Sequence, residues 1–326
     1  MTYDLEVIKP GLETTIQDWP GLKGGFKYGF NRSGPIDHYS FRMANLLVGN
    51  HPGAPGLEVQ FIGPTIRFLS SQKFAVTGAD MEASLDGNPL PLWETLSAEA
   101  GQILTLGSAI KGARSYIAFS GGLKANYFLG SYSTHTIAEA GGFDGKKLEK
   151  GNKITINPSS VIEKLTLPDK YQSMFSNNGQ WIIEIVLGPS NDWLSEEGIE
   201  LFINTDWIVS PRSNRMGIRL EGPSLKFSER AKNKAPEHGS HPSNCVDIGY
   251  PFGGINICGD TPVVLLNEGL TGGGFIIPFT VASCSLPKLA QARPHEIFKF
   301  KIISVEEAQN IRKNINTLCE SKTLKS

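Results

Sequence analysis

Gly56-Leu57-Glu58-Val59-Gln60-Phe61-Ile62-Gly63-Pro64-Thr65-Ile66-Arg67-Phe68 decides the fold, because the chain writes a variant of it again as Gly217-Ile218-Arg219-Leu220-Glu221-Gly222-Pro223-Ser224-Leu225-Lys226-Phe227. In both copies apolar and polar side chains alternate on either side of a Gly-Pro corner, the period-two pattern of two half-buried strands. Upstream, Leu5-Glu6-Val7-Ile8-Lys9-Pro10-Gly11 has its counterpart in Trp181-Ile182-Ile183-Glu184-Ile185-Val186-Leu187-Gly188-Pro189, each a strand that stops at a turn. A helical stretch follows in each half. Asp37 is placed to cap 38–48, with Phe41, Ala44, Leu47 and Val48 on one face; Asp192 or Ser195 is placed to cap 196–202. Downstream, Asp86-Gly87-Asn88-Pro89 parallels Gly259-Asp260-Thr261-Pro262, and the strand signal at 100–106 parallels that at 293–300. Five correspondences in one order indicate duplication. The expected fold is mainly β: two tandem barrel-like units, each with a short helix that plugs or covers it.

Composition agrees. Gly (36) and Pro (20) exceed the roughly 12% of average usage without a collagen-like period, which favours many turns and short strands. A 40% hydrophobic content excludes general disorder. Lys and Arg (31) balance Asp and Glu (32), and the one basic cluster, Arg212, Arg215 and Arg219, is too small for a nucleic-acid stripe. The longest apolar runs are strand-sized, far below the roughly 20 residues of a membrane span. No basic and apolar leader opens the sequence, and Cys245, Cys258, Cys284 and Cys319 form no CxxC, so the expected compartment is the cytoplasm with reduced thiols.

The copies differ in length where function is expected. Pro10 to Pro64 is 54 residues against 34 from Pro189 to Pro223, while Pro64 to Pro89 is 25 against 39 from Pro223 to Pro262. The surplus falls in the Gly/Pro/His-rich stretches 17–35 and 228–254, and long loops on a rigid scaffold are usually functional or disordered. The expected division is 1–125 for the first unit, 126–180 for a connecting segment with the Gly130-Ser131-Tyr132-Ser133-Thr134 loop, and 181–326 for the second unit.

Several phrases together resemble the biotin-dependent carboxyltransferase family, also called allophanate hydrolase subunit 2, which includes the C-type subunit of 5-oxoprolinase and KipA. They are Thr14-Thr15-Ile16-Gln17-Asp18, Ser33-Gly34-Pro35-Ile36-Asp37, Ala44-Asn45-Leu46-Leu47-Val48-Gly49-Asn50, Leu57-Glu58, Gly63-Pro64 and Thr77-Gly78-Ala79-Asp80. Arg215-Met216-Gly217-Ile218-Arg219-Leu220-Glu221-Gly222-Pro223, Pro262–Leu266 and Thr271-Gly272-Gly273 follow in order. The resemblance runs from about residue 5 to 303 and implies a pair of cyclophilin-like β-barrels. It also implies one of three roles. The first is a subunit of an ATP-dependent 5-oxoprolinase-like complex that opens 5-oxoproline to glutamate with A-type and B-type (KipI-like) partners. The others are a non-catalytic KipA-like binding subunit, and a carboxyltransferase that moves carboxyl from carboxybiotin to a urea- or amide-type nitrogen.

The sequence departs from the family where chemistry is expected. Tyr132 stands where the family commonly has Arg within Gly-Ser-Arg-Ser-Thr, and Asn267-Glu268-Gly269-Leu270-Thr271 replaces an Asp-x-Gln-Thr-Thr run. Asn256 substitutes for a Gln amide.

From these residues the catalytic candidates are Asp80, Arg215, Arg219 and Glu221. The substrate-binding candidates are Ser33, Thr77, Gly78, Ser131, Ser133, Thr134, Asn256, Thr271, Gly272 and Gly273. Consecutive glycines let backbone N–H groups approach an oxygen closely, and arginines fork carboxylates. Such donors stabilise the negative oxygen that develops in carboxyl transfer or lactam opening. The bland alternatives are a hairpin turn at 271–274, a surface pair at Arg219 and Glu221, and loop capping by the hydroxyls. His238-x-x-His241-x-x-x-Cys245 has superficial metal-ligand spacing but no evident fourth ligand, so no metal is expected. There is no P-loop, no nucleophile elbow and no Met-Lys biotinylation dipeptide. The expectation is therefore that ATP acts through a partner and that biotin arrives in trans.

Overall fold

A computed structural model describes residues 3–159, 163–172, 175–176, 178–320 and 324. The chain forms two compact units. The first comprises the described residues within Met1–Gly25, Arg32–Phe175 and Ile315–Ser326; the second comprises Phe26–Asn31 and those within Ser176–Asn314. Of the 126–180 segment expected as a connector, the described residues up to Phe175 thus fall in the first unit and those from Ser176 in the second. Neither unit is one unbroken run of chain.

In the first unit, antiparallel strands divide between a six-stranded and a five-stranded sheet. Alternation assigns their inner faces. Leu5, Val7, Ile66 and Phe68 from one sheet meet Val59, Phe74, Val76 and Ile117 from the other in a single fully buried core. The His38–Leu47 helix covers the opposite face of the five-stranded sheet. Its Phe41, Ala44 and Leu47 pack with Val48 on Ala75, Tyr116 and Ala118. As the sequence pattern predicts, Asp37 caps it, accepting from the Ser40 N–H at 2.9 Å.

The second unit closes into a seven-stranded barrel. The Glu196–Asn204 helix plugs it. Phe202, fully buried, stacks on Phe279 at 4.5 Å and on Phe300 at 4.7 Å between ring centroids. Of the two capping candidates it is Ser195 whose hydroxyl accepts from the Gly198 N–H, at 3.1 Å.

Both Gly-Pro corners need glycine for space. A Cβ on Gly63 would lie 2.2 Å from the Leu106 Cβ, and one on Gly222 would lie 2.6 Å from the Trp207 ring. The copies then diverge. Thr65–Phe68 is a strand, but Ser224–Phe227, expected as one, makes only a single bridge, from Phe227 to Leu194. Its alternation survives, with Leu225 and Phe227 buried between exposed Ser224 and Lys226; what it lacks is a flanking strand to complete a ladder. Part of the long 228–254 loop becomes the Asn244–Gly249 strand, which pairs with Gly272–Phe275 as a two-stranded ribbon.

Candidate functional site

The structure divides the sequence candidates between two environments, one in each unit. In the first unit, Ser131, Ser133, Thr134 and Ser33 are fully buried. Asp18 gathers the loop. Its carboxylate accepts from the Ser131 hydroxyl, from the Ser133 hydroxyl at 2.6 Å and from the Tyr132 N–H at 2.8 Å. Thr134 donates to the Ile16 carbonyl, and Ser33 to the Thr134 carbonyl. These hydroxyls are engaged internally and hold the loop's shape. What they present outward is aromatic: the exposed rings of Tyr127 and Tyr132 lie 5.0 Å apart across a hairpin whose turn residues, Leu129 and Gly130, both have positive φ.

Thr77 and Asp80 lie on the Gln72–Asp80 strand of the same unit. Thr77 donates to the Ser40 carbonyl at 2.8 Å and so ties the helix to the sheet. Gly78 has φ +84° where the register with Lys111–Phe119 shifts, a bulge that favours glycine. The Asp80 carboxylate accepts from the Glu82 N–H at 3.0 Å, a local turn. Beneath the helix start, Glu58 accepts from the Tyr116 hydroxyl and the Ile36 N–H, each at 2.8 Å. Burial and then the Glu58 charge push the Tyr116 hydroxyl well above its ordinary pKa, so it stays protonated as a donor.

The second environment is a pocket of about 210 Å³ on the barrel of the second unit. Period two and strand register explain its floor. Val263 faces Arg219 on one neighbouring strand and Asn256 on the other, so the three side chains form one row across Gly217–Glu221, Thr261–Leu265 and Gly254–Cys258. Gly217 and Leu265 form the next row, and Cys258 continues the face beyond Asn256. The intervening residues Ile218, Val264, Ile255 and Ile257 are buried in the core. Leu270, Phe275 and Met216 build apolar walls.

Polar groups converge at the Asn256 end. Asn256 is 5% exposed, and its Nδ2 has no hydrogen-bond partner. It lies beside the Tyr250 hydroxyl, which accepts from the Phe275 N–H at 2.8 Å. Burial raises the Tyr250 pKa, so the phenol keeps a proton to donate. A ligand oxygen would satisfy both donors. Arg219 and Arg212, both exposed, put positive charge on the rim.

The remaining candidates support or flank this pocket. Arg215 is 4% exposed and pairs with Glu268, 2% exposed, at 2.7 Å. The same two segments are joined by the Glu268 N–H donating to the Arg215 carbonyl at 3.0 Å and the Leu266 N–H to the Met216 carbonyl at 3.0 Å. The buried ion pair thus fixes two wall segments and does not itself face the pocket. Thr271, Gly272 and Gly273 lie between Leu270 and Phe275. The Thr271 carbonyl accepts from the Tyr250 N–H, and a Cβ on Gly273 would sit 2.8 Å from the Tyr250 hydroxyl. Glu221 is exposed opposite Ile208, away from the pocket lining.

Sequence reasoning did not name Tyr250, Glu268 or Cys258 as site residues, although Tyr250 lies in the 228–254 stretch, Glu268 in the divergent 267–271 run, and Cys258 two residues from Asn256 on the same face. His238 and His241 bind locally, to the Val246 N–H and to Ser243. Among the described residues no three His, Cys, Asp or Glu side chains gather as a metal site.

The comparisons with known proteins address the family and the fold. The family model of the carboxyltransferase domain, subdomain A and B, matches residues 28–302, and the chain belongs to that family. It is 35% identical to the urea amidolyase of Saccharomyces cerevisiae over 324 residues, which are 97% of this chain but 18% of that protein. It is 32% identical to the C-type subunit of 5-oxoprolinase from Escherichia coli, over 95% of this chain and 94% of that one. The solved structure of Kluyveromyces lactis urea carboxylase superposes with a TM-score of 0.93 at 33% identity, covering 100% of this chain and 30% of its own. The chain therefore spans less than a fifth of the length of the urea amidolyase it matches.

Proposed function

We propose that this chain acts as a carboxyltransferase module that moves a carboxyl group onto the nitrogen of a urea- or amide-type acceptor. The observation that carries this reading is the superposition of the whole chain on part of Kluyveromyces lactis urea carboxylase, at a TM-score of 0.93. The pocket suits the chemistry. Asn256 Nδ2 and the Tyr250 hydroxyl offer two donors to the acceptor's carbonyl oxygen, and Arg219 offers a guanidinium to the carboxylate being moved. Arg215, paired with Glu268, positions the walls. A carboxybiotin carried elsewhere, on a partner or on another part of a longer protein, would supply the activated carboxyl group. The reaction would exchange a carbon–nitrogen bond to biotin for one to the acceptor nitrogen, and the proton lost by the acceptor nitrogen would end on the biotin nitrogen that gives up the carboxyl group.

The test is transfer of labelled carboxyl from carboxybiotin to urea and to simple amides, with Arg219→Met as a control. Acid-labile label on the acceptor, lost in the variant, supports the reading; no transfer to any acceptor overturns it.

A second reading, a subunit of a 5-oxoprolinase-type ATP-dependent complex, is favoured by a match that covers 94% of the Escherichia coli C-type subunit. Co-expression with A-type and B-type partners tests it. ATP hydrolysis that depends on 5-oxoproline supports it, whereas tight binding to a B-type partner without activity fits a KipA-like regulatory role.

A further inference from the structure

The pocket is larger and more apolar than urea requires. Urea is polar on every edge, so a site built for it alone gains nothing from hydrocarbon walls. Here the two donors, Asn256 and Tyr250, sit at one end, while the floor and walls are Val263, Leu265, Leu270 and Phe275. Gly217 supplies part of the room. A Cβ there would lie 2.9 Å from Val263 Cγ1, so a side chain at this position would crowd the floor. Asn256 adds an independent sign of a ligand, because a 95% buried amide N–H2 with no protein partner is costly unless something completes it.

We infer that the acceptor bound in this pocket is an aliphatic amide, its carbonyl oxygen seated on Asn256 and Tyr250 and its alkyl body on Val263, Leu265 and Phe275. The inference rests on the carboxyltransferase reading and narrows its acceptor class. Placed so, the amide nitrogen is left on the side of the row where Arg219 stands, across Val263 from Asn256. Each methylene buried on the walls improves binding about fourfold, so a branched amide with three or four carbons in its body outbinds urea by well over tenfold.

Cys258 provides a readout that needs no turnover, since its thiol is exposed and lines the same pocket. In the full chain with Cys245→Ser, alkylation of Cys258 by N-ethylmaleimide is followed by peptide mass spectrometry against increasing isovaleramide, isovalerate or urea. The expected result is half-protection by isovaleramide at a concentration at least tenfold below that for urea. Asn256→Leu should abolish protection by the amide, and Phe275→Ala should erase its advantage over urea, each variant compared with its own ligand-free rate. Equal or better protection by urea or isovalerate, no protection by isovaleramide, or full protection in Asn256→Leu would overturn the inference. Carboxyl transfer to urea measured in parallel keeps the two claims apart: transfer with no preference for the alkyl amide refutes the acceptor class alone.

Discussion

Asp18 shows how one buried carboxylate shapes a loop. It is 7% exposed and holds two hydroxyls and one backbone N–H of the 131–133 segment. Asp18→Asn keeps the volume but swaps one acceptor oxygen for an amide that faces donors. It should cost about 1–3 kcal/mol in urea denaturation and loosen the Tyr127–Tyr132 hairpin, seen as faster amide exchange there. The Arg215–Glu268 pair poses a related question, because both charges are almost fully out of water. Removing either partner alone should cost about 3–5 kcal/mol, while Arg215→Met with Glu268→Leu should cost clearly less than the sum. A double-mutant cycle by chemical denaturation measures this, and strict additivity would show that the pair is not coupled. Neither arrangement was legible in the sequence. Asp18 reads as one letter of a family phrase, and Glu268 lies 53 positions from Arg215, so nothing local connects them.

At the scale of elements, Glu184 ties the Gln180–Leu187 strand to the Leu286–Gln291 helix. Its carboxylate accepts from Lys288 Nζ at 2.6 Å and from the Ser285 hydroxyl. Burial pushes its pKa up, but these hydrogen bonds and the Lys288 charge outweigh burial and leave it below the ordinary carboxylate value. A folded-state pKa below the unfolded one means that the stabilisation is present above the unfolded value, about 4.3 for Glu, and fades as pH falls through the folded value. Glu184→Gln should therefore be less stable at pH 7, by under about 1 kcal/mol since both partners are partly exposed to water. The gap to wild type should close on acidification below pH 5, as followed by thermal melts. The two helices after the first strand of each half were legible, because a cap and an apolar stripe are local signals, whereas the Leu286–Gln291 and Val305–Leu318 helices were not read. Strand pairing was less legible. The alternation at 224–227 is real, yet a strand also needs a neighbour, and sequence does not show where neighbours lie.

For the molecule as a whole, the duplicated phrases correctly announced two mainly β units, because each copy carries its own alternation and its own corner. The pocket was half legible. Arg219 and Asn256 were read from the sequence as parts of one candidate site with Arg215, Glu221 and Thr271–Gly273, and the shared register with Val263 shows how the two stand in one row. Burial likewise sorts the four free thiols. Cys258 is exposed, while Cys284 and Cys319 are buried, and burial pushes the Cys319 thiol up to about 12. Brief treatment of the native chain with maleimide at pH 7.5 should label Cys258 first and leave Cys284 and Cys319 unlabelled until the protein is unfolded, as read by peptide mapping. Early labelling of Cys319 would mean that the core around it opens readily.

The interleaved membership of the two units bears on how the protein is made. Phe26–Asn31 is translated early but belongs with the second unit, where Asn31 donates to the Gly269 carbonyl at 3.2 Å. Conversely, Arg42 in the first helix donates to Asn316 at 2.9 Å, and Cys319 packs in the core beneath that helix. On the ribosome the first unit is thus synthesised first yet completed last. Its helix waits, with one wall of its core missing, until the barrel that separates it from its final segment has been translated.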